Sequence, residues 1–112
     1  MTVIVKNIVP AKTVEATQVT QYTATNVTTI IDKFTATNYS ATAATISVNL
    51  VTVAGSAGNS NLITKTKTLQ PSEVYTFPEL VGQVLNNGDF ISTIAGTASA
   101  INMRVSGREV TQ

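Results

Sequence analysis

The chain is 112 residues long, with seven basic and six acidic side chains, no histidine and no cysteine, and about a fifth of its positions are threonine. That length is one domain with one ordinary core and no disulfide to support it. The missing residue types exclude most nucleophilic and soft-metal sites, and the near-balanced charge supplies no basic stripe for nucleic acid.

Charged residues are only 12% of the chain, well below the usual quarter or so. A surface so rich in Thr, Ser, Asn and Ala repels other proteins weakly, which suits packing against neighbours. The excess of Thr, Val and Ile is what a half-buried sheet needs. The opening Met1-Thr2-Val3-Ile4-Val5-Lys6 lacks the charged region, apolar stretch and cleavage site of a secretory leader. No apolar run reaches the length of a membrane span. Without a secretory route, the sequons at Asn26 and Asn38 carry no meaning.

Period-two apolar spacing and the turn clusters between such runs predict an all-β chain of about eight short strands. In order, these are residues 2–6, 13–23, 27–38, 44–54, 61–69, 73–77, 89–95 and 100–110. Residues 1–20 alternate weakly and carry Pro10 in their middle. Proline in a sheet belongs at edges, ends or bulges, so this segment reads as an N-terminal arm or edge strand, or as the first two strands. Residues 78–85 are the only candidate helix, with Pro78 at its first position and Glu79 in its first turn. The expected core is Ile30, Phe34, Ile46, Val48, Leu50, Phe77, Leu85, Phe90, Ile91, Met103 and Val105. Asp32 shares parity with Ile30 and Phe34, which simple alternation does not explain and a bulge would. The architecture expected is an antiparallel β-sandwich.

Candidate chemistry is sparse. Only hard, oxygen-ligated ions suit the scattered Glu15, Asp32, Glu73, Glu79, Asp89 and Glu109, and no spacing resembles a calcium loop. Asn86-Asn87-Gly88-Asp89 reads as a plain turn. Without histidine the base for a hydroxyl would have to be a lysine or a carboxylate, nothing local recommends one hydroxyl over another, and there is no nucleophile elbow or phosphate-cradling loop. Thr23/Thr25 and Thr35/Thr37 stand twelve residues apart, but the next turn would fall on Ser47 and Asn49, so no repeat ladder forms. No catalytic, cofactor-binding or metal-binding residue is assigned, and the chain is not expected to be an enzyme.

A longer pattern begins at Tyr22-Thr23 and runs through Ile30-Ile31-Asp32-Lys33-Phe34-Thr35-Ala36-Thr37-Asn38 and Ala43-Ala44-Thr45-Ile46-Ser47-Val48. It continues in Leu69-Gln70-Pro71-Ser72-Glu73-Val74-Tyr75-Thr76-Phe77, Leu85-Asn86-Asn87-Gly88-Asp89-Phe90-Ile91-Ser92 and Ile101-Asn102-Met103-Arg104-Val105-Ser106-Gly107. A strand, an Asn-Ser turn, a Leu-x-Pro-x-Glu corner, a Leu-x-x-Gly-Asp-x-Ile corner and a closing strand ending in Gly follow in that order. The chain from Tyr22 on resembles the small capsid decoration proteins (cement or staple proteins) of tailed bacteriophages, and within them the staple proteins of epsilon15-like phages. The resemblance implies a jelly-roll-like sandwich, associated as a homodimer on the capsid surface of the virion, made in the host cytoplasm and clamping adjacent major capsid protein subunits. It implies no catalysis, cofactor, nucleic acid, membrane or small-molecule substrate, and it carries over no contact residue. Other virion modules (tail, adaptor or fibre-associated) and a carbohydrate-binding sandwich are the competing readings.

Contact residues are expected instead from β-propensity and exposure. Thr2, Val3, Ile4 and Val5 form a β-prone run with no evident partner inside the domain, and Tyr39 sits in a loop. Deleting residues 1–9 is then expected to leave a folded domain, and the 54–60 loop is the next candidate surface.

Overall fold

In the computed structural model, which describes residues 1–111, the chain is nine strands and one short 3-10 turn at Asn59–Asn61. The strands are β1 (Val3–Thr13), β2 (Val19–Thr23), β3 (Val27–Asn38), β4 (Ala44–Val51), β5 (Leu62–Leu69), β6 (Val74–Tyr75), β7 (Val84–Leu85), β8 (Phe90–Ala95) and β9 (Ile101–Thr111). They form two antiparallel sheets. One has the order β1-β9-β3-β6, with β7 also on β3, and the other has the order β2-β8-β4-β5. The pairs nest: β1 with β9, β2 with β8, β3 with β6 and β7, β4 with β5. A long hairpin rolled up on itself gives this order, so the sandwich is a jelly roll.

Six of the expected strands fall within a few residues of observed ones. The N-terminal segment does not. β1 is a single 11-residue strand, paired along its length with β9 from Val3↔Val110 to Thr13↔Asn102. It is an edge strand, not a free arm, and Val3, Ile4 and Val5 do have a partner inside the domain. Two register shifts, at Asn7/Val9 and Val9/Lys12, explain the weak alternation. The first turns both Ile8 and Val9 into the core, and the second contains Pro10. Deleting residues 1–9 would strip two core side chains and unpair half of one side of β9, so the structure leads one to expect such a truncation to unfold rather than stay folded.

Residues 78–85 are not helical. Leu80 N–H donates to Phe77 O at 2.9 Å and Gln83 N–H to Leu80 O at 3.2 Å, closing two turns. Gly82, at φ 86°, instead donates its N–H to Ile31 O at 2.7 Å. The left-handed glycine and the pull of β3 win over the proline start, and the segment ends as β7.

The core lies between the sheets. Phe34, Ile46, Val48, Phe77, Leu85, Ile91, Met103 and Val105 are buried as expected, while Ile30, Leu50 and Phe90 are only partly so. The reason for Ile30 is a bulge: Ile31 pairs with Gly107 and Lys33 with Ser106, leaving Asp32 as the extra residue. Val27, Thr29 and Ile31 face inward before it, and Phe34, Ala36 and Asn38 after it. Ile30 therefore faces out, and the odd parity of Asp32 is resolved. Gly107 opposes the bulge because a Cβ there would lie 2.2 Å from Ile30 O. The aromatic centre is Phe77, whose ring centroid is 4.5 Å from Phe34 and 4.6 Å from Tyr75.

At the far end of β3, Asn38 is fully buried. Its Nδ2 donates to Thr42 O at 2.8 Å and Leu69 O at 2.9 Å, and its Oδ1 accepts from Ser40 N–H at 2.9 Å and Ser40 Oγ at 2.7 Å. One side chain thus ties the turn after β3 to the end of β5.

Two outcomes follow from this packing. Phe34→Ala should cost roughly 3–5 kcal/mol, the range for emptying a buried aromatic site, and Phe90→Ala clearly less; urea titration of both variants checks the order. Asn38→Ala takes the side-chain partner from Leu69 O and Ser40 N–H, while Ser40 Oγ and Thr42 O keep each other, at roughly 1–3 kcal/mol per stranded group. Its melting temperature should fall by about 10 °C or more, and a change of a degree or two would refute the role of Asn38.

Candidate interaction surface

The exposed large apolar side chains are unevenly placed. β-pairing aligns Val5, Arg108, Ile30 and Val84 in one row across β1, β9, β3 and β7. The next row is Val3, Val110 and Thr28. These side chains face away from the second sheet, because the alternate positions Thr29, Ile31, Leu85 and Val105 are buried against it. Val5 is 83% exposed and Val3 55%, with Val81 and Val84 also exposed and Met1 beyond them. One end of this outer face is thus a low-charge apolar surface. Its central ion pair is bidentate, with Arg108 Nη2 on Asp32 Oδ1 at 2.8 Å and Arg108 Nε on Asp32 Oδ2 at 2.9 Å. The guanidinium holds the Asp32 carboxyl below its usual range, and the carboxylate raises Arg108.

Beside that face runs the free edge of β1. Thr111 N–H donates to Thr2 O at 2.8 Å, which makes Val3↔Val110 a non-hydrogen-bonded pair. By alternation Ile4 and Lys6 bond to β9, while Val3 and Val5 turn their N–H and C=O groups to solvent.

The inner side of this stretch is braced across the sandwich. Tyr22 Oη, from β2, donates to Glu109 Oε2 on β9 and lies 2.7 Å from Thr29 Oγ1 on β3. Lys6 Nζ on β1 reaches Glu109 Oε1 at 3.3 Å. Burial, and then the hydrogen bond to Glu109, push the Tyr22 phenol up to about 12. A parallel brace joins Tyr75, Thr64 and Glu79, where the bond to Glu79 and then burial push Tyr75 up to about 12. Burial pulls the Glu79 carboxyl up, but the bonds from Thr64 and Tyr75 outweigh it and hold it below its usual range.

Of the sequence-predicted contact residues, Thr2, Val3, Ile4 and Val5 lie together on this edge. Tyr39 is 53% exposed but stands beyond the other end of β1, where its Oη is 3.4 Å from Thr13 Oγ1. β1 is 11 residues long, so roughly 30 Å separates the two positions and no single contact surface contains both. Ile30, Val81, Val84 and Val110 were not among the predicted contacts. The parity conflict at Asp32 was the one signal that Ile30 faced outward. The 54–60 loop folds back over the other sheet, where Asn49 Nδ2 bonds Gly58 O at 3.0 Å and Asn61 Oδ1 at 2.6 Å. The cleft beneath it, about 190 Å³, is lined by Gln18, Ser47, Asn49 and Lys65 among others. Its buried amide and hydroxyls are taken up by Gln18, Thr66 and the loop itself. Among the described residues no three acidic side chains come together. Comparison with known protein families, with curated proteins and with solved structures returns no match.

The tyrosine braces set a pH response. A phenol raised above its ordinary 10.0 keeps its proton in the folded chain after the unfolded chain has lost it. Its contribution is complete below pH 10 and is lost as pH rises towards about 12. Urea midpoints should therefore decline across that window, and Tyr22→Phe should decline less steeply than the parent chain. Equal slopes in the two proteins would remove Tyr22 as a cause.

Proposed function

We propose that this chain is a non-enzymatic structural protein of a phage virion, a clamp that binds the outside of the capsid in pairs and bridges adjacent major capsid subunits. The observation that carries the reading is the open edge of β1 beside an apolar outer face, since a sheet edge with unpaired backbone groups adds affinity by strand addition and the face adds burial. The jelly roll and its two corners support it, being the features on which the resemblance to decoration proteins rests.

The mechanism is mechanical. A shell loaded with DNA fails at seams between subunits, and a clamp across a seam adds interface that must break first. A specific interface of ordinary size buries about 1,600 Å². Many copies, each held at more than one point, multiply the effect. The residues of the outer face bind; none needs to react.

The carbohydrate-binding reading has less behind it. The cleft under the 54–60 loop has no aromatic side chain in its lining, and Gln18, Ser47 and Asn49 already spend their polar groups on one another and on the neighbouring backbone.

Co-sedimentation with expanded shells, assembled from the major capsid protein of the same genome, tests the proposal. The parent chain should pellet with shells, and Val84→Lys, at a side chain 51% exposed, should bind at least about tenfold more weakly while keeping its melting temperature. Failure of the parent chain to bind such shells, or a strong signal on a glycan array, would overturn it.

A further inference from the structure

Among the described residues, every sheet edge is blunted except one stretch. β6 and β7 are two residues each. β2 breaks register after Thr20, leaving pairs of two and two. β5 breaks register twice, with Thr66 at φ 42° in the first break and Lys65 beside it. The second half of β1 carries two register shifts and Pro10. Only Val3 to Asn7 runs straight, in five consecutive register pairs with β9. Short strands, bulges, lysines and prolines are how proteins keep edges from pairing. The single lysine of this stretch, Lys6, is drawn onto β9 by Glu109 at 3.3 Å, and no proline, bulge or register break interrupts the run, which marks an edge open to pairing.

The geometry points to a second copy of this chain as the occupant: we propose that β1 pairs with β1 of a partner, antiparallel, about a two-fold axis through Ile4. The claim rests on the pairing proposed above and specifies its strand and register. Val3 and Val5 present the outward N–H and C=O groups, so they must form the hydrogen-bonded pairs. A two-fold at Ile4 sets Val3 against Val5 of the partner and Ile4 against Ile4 of the partner, a non-hydrogen-bonded pair. The same register sets Lys6 against Thr2 of the partner, so no like charges meet. Val3 and Val5 then form one continuous apolar patch on the outer face, and the two Ile4 side chains, each 46% exposed in the single chain, cover each other on the inner face. A different strand would need its own uncharged, β-branched run of matching length; the chain already supplies one in Val3-Ile4-Val5.

Cysteine scanning tests the register without ambiguity, because the chain has no cysteine of its own. Directly opposed residues in a non-hydrogen-bonded antiparallel pair have Cα atoms about 4.5 Å apart, within disulfide reach. Ile4→Cys should become a disulfide-linked dimer in mild oxidant at micromolar protein, and Val5→Cys should not, since its counterpart lies a further two positions away. The reverse result would move the axis to Val5 and overturn the register; no crosslink in either would overturn the pairing.

Proline gives the second arm. Val5 N–H does not bond to β9, so Val5→Pro removes only a bond to the partner strand. By sedimentation velocity Val5→Pro should be a folded monomer at concentrations where the parent chain is dimeric. A parent chain that stays monomeric, or a Val5→Pro chain that still dimerises, refutes the proposal. Shell binding separates the two claims: a monomeric parent chain that binds shells leaves the clamp standing without this pairing, and a dimer that ignores shells leaves the pairing standing without the clamp.

Discussion

The extra residue in β3 is the constraint on which the rest of this sandwich depends. β3 is the longest strand, and it contacts β9 on one side and β6 and β7 on the other. Without a break in its alternation, one half of its apolar side chains would face solvent. Asp32 supplies that break, so Ile31 and Phe34 both reach the core. Phe34 then meets Phe77, and Phe77 meets Tyr75, which fixes the short strands β6 and β7 beside β3. Phe77 is held at φ 45°, an unusual conformation for a bulky residue, sustained by complete burial of its ring.

The two corner motifs turn out to be one device used twice. In Gln70-Pro71-Ser72-Glu73, Glu73 N–H donates to Gln70 O at 3.0 Å and Glu73 Oε1 accepts from Gln70 N–H at 2.7 Å. In Asn86-Asn87-Gly88-Asp89, Asp89 N–H donates to Asn86 O at 2.9 Å and Asp89 Oδ2 accepts from Asn86 N–H at 2.9 Å. The third position has positive φ in both, 66° at Ser72 and 93° at Gly88, as a type II turn requires. Gly88 is further constrained, since a Cβ there would lie 2.5 Å from Val53 Cγ2. The acid at the fourth position of each turn closes it over the N–H of the first. The carboxylates scattered along the sequence are thus mostly structural: Glu73 and Asp89 close turns, Asp32 pairs on a bulge, and Glu79 and Glu109 anchor tyrosines.

These details explain what was legible in the sequence. Alternation such as Ile46-Val48 or Met103-Val105 reads directly, because the apolar positions face the core while polar ones such as Ser47, Asn49 and Arg104 take the other face. The fold class and six strands follow from it. Alternation fails wherever a bulge shifts the count, which is why β1 looked like an arm and Ile30 looked like core. It fails too for Pro78–Leu85, where local helix signals lose to hydrogen bonds with Ile31, a residue remote in sequence. Of the surface, Thr2 to Val5 could be found because β-propensity is local. Ile30, Val84 and Val110 could not, since only strand register places them in adjacent rows with Val3 and Val5.

The distribution of edges also bears on how far such a chain can assemble. An exposed β-prone edge is normally an aggregation hazard, because each added strand presents a new edge. A two-fold pairing of β1 with itself uses the straight stretch of both copies and leaves behind only edges already blunted by bulges, lysines or brevity. Association of that kind is isologous and closes at two. A head-to-tail contact between β1 and β5 of the next copy would instead propagate, but the register breaks around Thr66 and the charges of Lys65 and Lys67 oppose it. Paired as proposed, such a module would offer a strong contact without forming fibres, and the pair would have two outer faces related by symmetry. Two such faces would let one pair hold two neighbouring subunits, the geometry that the proposed clamp across a seam requires.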